Sequence, residues 1–286
     1  MRGRFRSAVG GRPWRVSSPI PRTPGDHLCW PFRRPDELSA AARQYVAEGL
    51  SRQERVAYVS EGDCTDVYPG LVGIPDLDEH VHQGRLQFVP SDMVHRSDTH
   101  AAELPVLEAL TGRALEAGYR GLRMFADGTA RAHDPTRRAQ EVQYEHQLDQ
   151  FCCTHPVTAF CAYDAAALGN SAVAELVCVH PLANGDLSPF QVCAAGDAEV
   201  ALAGCVDVFC VDQFEQALQR TGVATTGGTV IIDATDLEFI DVRGMLTLDR
   251  YAMAGGATIV LRSAPSVVTR VTELVDLVAV RVDGRS

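Results

Sequence analysis

The chain has 286 residues, 46% of them hydrophobic, and a formal net charge of −11. That length suits two domains of ordinary size with a core in each. The acidic balance argues against nucleic acid as a main partner, and all 26 basic residues are arginine, which removes a phosphate-loop lysine, a Schiff base and a lysine general base. A GC-rich coding bias is the simplest source of the missing lysine.

Residues 1–23 open the chain with Arg2, Arg4, Arg6, Arg12, Arg15 and Arg22 and no acid before Pro24. This arm lacks the apolar middle of a signal peptide and is expected to be disordered. No run approaches the roughly 18 apolar residues of a spanning helix, so no membrane is expected. The nine cysteines include no CxxC pair and no zinc spacing, so they read as reduced thiols of a cytoplasmic protein.

A first domain is expected over residues 24–181. Gly25 to Phe32 is compact and aromatic. Asp36 stands as an N-cap before a helix whose apolar face is Leu38, Ala42, Tyr45, Val46 and Gly49. Val56–Val59, Leu86–Val89, Gly121–Phe125 and Val157–Tyr163 read as short apolar strands. Helices are expected over Cys64–Val72, Leu104–Ala117, Arg137–Phe151 and Ala165–Val179. Strands alternating with helices predict an α/β fold with a mostly parallel sheet. Residues 182–189, rich in turn formers, read as a linker.

Residues 190–286 carry a second strand–helix–strand unit. Val230, Ile231 and Ile232 form a β-branched run suited to a central strand buried on both faces. Asp241 is placed to cap the next helix, along which Met245, Leu248 and Ala252 recur at helical spacing. Gly255-Gly256 ends that helix, and Thr258–Leu261 begins another strand.

Two resemblances follow from these residues. Ile240-Asp-Val-Arg-Gly-Met245, at a strand-to-helix turn, resembles the hallmark of the STAS domain, whose members include anti-sigma factor antagonists. Glu199–Asp207, Phe209–Arg220 and Pro265–Leu277 resemble that domain's strand before its first helix, that helix and its last helix. The resemblance implies a partner-docking corner built from Asp207, Asp241, Val242, Arg243, Gly244 and Met245, and an anti-sigma factor or related kinase-type regulator as partner. Phospho-regulated members carry a serine or threonine just before the glycine; Arg243 stands there and has no hydroxyl to phosphorylate.

The first domain resembles the MEDS domain, the sensory domain of methanogen and methylotroph regulators. The matching pieces are Gly25-Asp-His-Leu-Cys29, Glu48–Val59, Gly118–Arg123, Tyr144-Glu145, Phe160–Asp164 and His180-Pro181. The resemblance implies a RecA-like fold without its phosphate loop, in line with the missing lysine, and a ligand-sensing role. The candidate sensing residues are His27, Cys29, Glu145, Cys161 and His180. His27 and Cys29 flank one residue, and in an extended segment they share a face. That placement suits a soft or borderline metal, a nucleophile beside a base, or plain packing.

Asp127 and Glu145 would suit general acid–base work, yet no nucleophile elbow, HExxH or nucleotide loop accompanies them. No enzymatic activity, no cofactor and no metal is therefore expected. The chain reads as a cytoplasmic signalling protein that senses an unidentified small molecule or redox state through its first domain and binds a protein partner through its second. The alternatives are a thiol-dependent enzyme using Cys29 and His27, or a nucleotide-binding module. A homodimer is left open.

Overall fold

The computed structural model describes residues 14–21, 23–60, 64–94, 103–196, 198–223 and 227–284, the side chains of 64–67, 103 and 284 aside. Its architecture is α/β with two sheets. The first is built from β1 (His27–Phe32), β2 (Arg55–Ser60), β3 (Leu86–Pro90), β4 (Leu122–Asp127), β5 (Val157–Asp164) and β6 (Leu182–Ala183). They lie in the order β3-β2-β4-β5-β1-β6, and every pairing is parallel. An all-parallel sheet must be covered on both faces, and the residues of β1 divide accordingly. Leu28, Trp30 and Phe32 meet Ala42, Tyr45 and Val46 of α1 (Pro35–Ser51). Cys29 belongs to the core on the other face, which is covered by α5 (Glu103–Glu116), α7 (Pro135–Thr154) and α9 (Asn170–Val177).

Helices α2 (Cys64–Leu71) and α3 (Leu77–His82) join the α1 face, and α4 (Ser91–Val94), α6 (Thr129–His133) and α8 (Ala165–Leu168) the other. Among them α3, α4 and α6 are too short for periodicity to reveal. Asp134 caps α7, accepting from Thr136 N and Arg137 N at 2.9 and 3.0 Å, with Pro135 preset for the first turn.

The second sheet follows the path β10-β8-β9-β11-β12, from β8 (Val200–Val206), β9 (Gly228–Asp233), β10 (Leu237–Ile240), β11 (Ala257–Ala264) and β12 (Val280–Gly284). These pair in parallel, while β7 (Phe190–Cys193) runs antiparallel along β8. Helices α10 (Val211–Thr221), α11 (Val242–Ala254) and α12 (Ser266–Thr272) join them. No helix among the described residues is long and apolar enough to cross a membrane.

Several expectations are corrected. The first helix starts at Pro35, with Arg34 at the cap and Asp36 inside the first turn, because proline presets that position. The closing helix over 165–179 is two helices, broken at Gly169, whose φ of +81° glycine adopts without strain. The expected linker begins as a strand: Leu182 and Ala183 pair with β1. The arm is not free over residues 14–21. Trp14 is buried against Cys193, Ala201 and Ala203, and Ala183 N donates to Trp14 O at 3.0 Å; one tryptophan outweighs the surrounding arginines. Residues 1–13 lie outside the described residues. β9 is central, but Ile231 is only half-buried between buried Val230 and Ile232, so one face of that sheet is incompletely covered.

The two sheets do not keep separate cores. One continuous apolar cluster runs from Cys29, Leu148 and Val177 through Phe190 and Phe214 to Met245 and Val280.

Candidate functional site

Polar side chains collect inside the first sheet's α7 face. On α7, Glu141, Glu145 and Asp149 recur every four residues, so they share one face, and all three are buried. Opposite them stand His27 on β1, Cys161 and Tyr163 on β5, and His180 just after α9. Glu145 Oε2 is the hub. It lies 3.0 Å from His27 Nε2, 3.3 Å from His180 Nε2 and 3.3 Å from the Cys161 thiol, which donates to it. His27 Nε2 is also 3.4 Å from Cys161 Sγ, and the two imidazole rings are 4.1 Å apart. Tyr163 OH donates to Glu145 Oε1 and lies 3.2 Å from Glu141 Oε1. Arg131 closes the far end with an ion pair to Glu141 at 2.7 Å.

Four of the five candidate sensing residues, His27, Glu145, Cys161 and His180, therefore meet, with donor atoms all within 4.8 Å of one another. Cys29 stands beside Cys161 across the β1–β5 pairing but outside that donor set. Three participants escaped the sequence reading: Asp149, Tyr163 and Glu141. The signal was there in Glu141-x-x-x-Glu145-x-x-x-Asp149, a spacing that puts three acids on the inner face of a helix also holding Val142, Leu148 and Phe151.

Electrostatics sort the cluster. Burial opposes charging His27, but hydrogen bonds to and the charges of Asp149 and Glu145 outweigh it, and its pKa is raised. Burial alone would push Glu145 up; His180 and His27 reverse that and hold it well below the usual carboxylate range. Burial and the neighbouring His27 lower His180. The two histidines are thus pushed in opposite directions, His27 towards its charged form and His180 towards its neutral one. Burial drives the thiols of Cys29 and Cys161 well above their ordinary value, and the charge of Glu145 adds to it. A nucleophilic cysteine needs the opposite environment.

A small pocket reaches Glu145 and Cys161 from the carboxyl ends of β2 and β4, lined also by Val59, Met124, Asp127 and Tyr144. Asp127 and Glu145 thus share one pocket. Burial raises the Asp127 carboxyl, partly offset by its bonds to Thr129.

The second candidate surface is the corner where β8 and β10 end. Asp241 caps α11, accepting from Gly244 N at 2.7 Å, as its position in the sequence predicts. Asp241 and Val242 are half-buried and Arg243 is exposed. Asp207 is half-buried and accepts from Phe209 N at 2.9 Å. Gly244 and Met245 are corrected: both are buried, and a methyl group on Gly244 would stand 2.8 Å from Val206 and Ile240 side chains. They seat α11 on the sheet and do not face a partner. Phe209, which the sequence reading passed over as a contact, is 94% exposed at this corner.

Residues 26–181 match the family described as MEDS, the methanogen/methylotroph, DcmR sensory domain. The chain belongs to the MEDS family. The match spans the first sheet up to β6 and includes His27, Cys29, Glu145, Cys161 and His180; it does not extend into the second sheet. No curated protein matches the chain. Among solved structures, the chain is similar to a KaiC-like protein, PH0186, from the hyperthermophilic archaeon Pyrococcus horikoshii OT3. The identity is 13% and the TM-score 0.38, over 65% of this chain and 84% of that one. A likeness at that score carries no argument.

Proposed function

We propose that this MEDS-family chain is a signal-transduction regulator whose buried cluster senses a small molecule or redox state and passes the result to its second sheet. One observation carries the reading. Asp149 stands in the cluster, with Oδ1 3.5 Å from His27 Nδ1, while its Oδ2 accepts from Ala194 N at 2.7 Å. Ala194 directly follows β7 of the second sheet. A single buried carboxylate therefore touches both the sensing histidine and the strand that enters the next domain. Nearby, Gln213 donates to Ala174 O at 2.9 Å, and Glu175 accepts from Arg138 of α7 at 3.1 Å and also pairs with Arg220 of α10. A ligand that favours one arrangement of His27 and Asp149 biases this junction by its difference in affinity for the two arrangements.

The second sheet, STAS-like in its Ile240–Met245 turn, presents Asp207, Asp241, Val242, Arg243 and Phe209 to a protein partner, an anti-sigma factor or related kinase-type regulator. With arginine at the phosphosite position, control comes from the first domain instead of from phosphorylation at that residue. The cytoplasm is the proposed location. A thiol enzyme fits poorly, because Cys29 is fully buried and its thiol is held protonated.

Hydrogen–deuterium exchange on the full chain and its His180→Gln variant tests the coupling. The variant is expected to lose protection at 190–196 and at the corner around 207–212, while α1 stays unchanged. Altered exchange confined to the first sheet would overturn the reading. For the partner, affinity capture from the native host should fall with Arg243→Glu.

A further inference from the structure

We propose that His27, Glu145, Cys161 and His180 are the four ligands of one divalent transition-metal ion of the zinc class. The inference deepens the sensory reading, since it names the chemistry of what the cluster holds, and it reverses the expectation of no metal. Once the ion has displaced the protons of the Cys161 thiol and His27 Nε2 to solvent, two imidazoles, a thiolate and a carboxylate form a borderline donor set that suits zinc or cobalt and not the hard cations.

The geometry points the same way. In a four-coordinate site with bonds of about 2.0–2.3 Å, neighbouring donors stand roughly 3.3–3.8 Å apart. Four of the six separations among these atoms, 3.0, 3.3, 3.3 and 3.4 Å, lie within about 0.3 Å of that range, and all six are within 4.8 Å. Glu145 Oε2 is the hub of the cluster, and an ion among the four atoms would take over that role.

The histidines are oriented for it. His180 Nδ1 lies 2.8 Å from Leu176 O. That bond puts the proton on Nδ1 and leaves the lone pair of Nε2 facing the other donors. His180 Nε2 is fully buried and makes no hydrogen bond. Asp149 stands behind His27 Nδ1, the carboxylate–histidine arrangement that raises ligand basicity. The ligands come from β1, α7, β5 and the end of α9, so an ion would tie together elements that also contact the second sheet.

The test uses the full chain, purified without chelator and assayed for metal by elemental analysis, then stripped and titrated with Co2+ alone and Zn2+ alone. One ion per chain is expected, with the intense visible bands of tetrahedral Co2+ and a sulfur-to-cobalt charge-transfer band. Cys161→Ser should remove the charge-transfer band, whereas Cys29→Ser should keep it. His180→Gln should weaken Zn2+ binding by at least about tenfold. Circular dichroism establishes folding for each variant; if Cys161→Ser does not fold, Glu145→Gln and His180→Gln must each lose the tetrahedral bands in folded protein. Absence of saturable 1:1 uptake by wild-type chain, or a charge-transfer band that persists in folded Cys161→Ser, overturns the proposal. The exchange experiment on coupling involves no added metal, so either idea can fail alone.

Discussion

The two faces of the first sheet bury charge in opposite ways. On the α1 face, Arg123 and Glu54 form an isolated ion pair. The guanidinium also lies 4.8 Å over the Tyr45 ring and donates to Tyr45 O at 3.3 Å, amid Phe125, Phe160 and Trp30. Charge there is balanced one to one. On the α7 face, three buried acids, Glu141, Glu145 and Asp149, lie along one helix beside two imidazoles, and His180 Nε2 makes no hydrogen bond. A closed buried pair is what a core needs to tolerate charge. The α7 cluster has no such closed pairing at His180 Nε2, the nitrogen that the proposed ion would meet.

That contrast can be broken by unfolding experiments. Arg123→Met keeps volume but strands Glu54 in an apolar wall and should cost about 3–5 kcal/mol. Glu145→Gln keeps an acceptor for Tyr163 and leaves Asp149 beside His27, so about 1–2 kcal/mol is expected. Denaturant midpoints of the metal-free chain measure both. Equal losses would mean that the α7 cluster is as structural as the α1 pair.

The faces also differ in how legible they were. Leu38, Ala42, Tyr45 and Val46 announce a helix packed on apolar strands, and β2 and β5 read directly from their β-branched and aromatic runs. Glu145, Cys161 and His180 join His27 in one site only through family resemblance, because nothing local links residues that far apart in sequence. Asp149 was invisible for a related reason: an acid on a helix is read as solvated, and its burial depends on His27 and Ala194 arriving from elsewhere. Trp14 was misread because composition averages over an arm in which one residue decides the packing. At the second sheet, Asp241 was legible as a cap because capping is local chemistry. The burial of Gly244 was not, since it depends on how closely α11 approaches β8 and β10.

That approach separates fold from function at the corner. Gly244→Ala drives a methyl group against Val206 and Ile240 and should cost about 1–3 kcal/mol. Arg243→Glu, one residue away and exposed, should leave stability unchanged or raise it by about 0.3–1 kcal/mol, because an anion suits the start of a helix. Thermal melts alongside partner capture separate the two. Capture should fall for Arg243→Glu despite an intact fold, and equal capture would remove Arg243 from the docking corner.

A modest effect on stability tests the junction between the sheets. Asp149→Asn keeps the shape of the side chain and an oxygen for Ala194 N, but replaces a charge-assisted bond by a neutral one, a loss of about 1 kcal/mol. His27 simultaneously loses the carboxylate behind its Nδ1. Global unfolding should shift only modestly, and the amide of Ala194 should exchange faster, since it donates to this carboxylate. Amide exchange followed residue by residue reads that directly. Should Ala194 stay as protected as in wild type, the carboxylate is only filling space between the sheets, and the path from the buried histidines to the second domain must run through Glu175 and Arg220 instead.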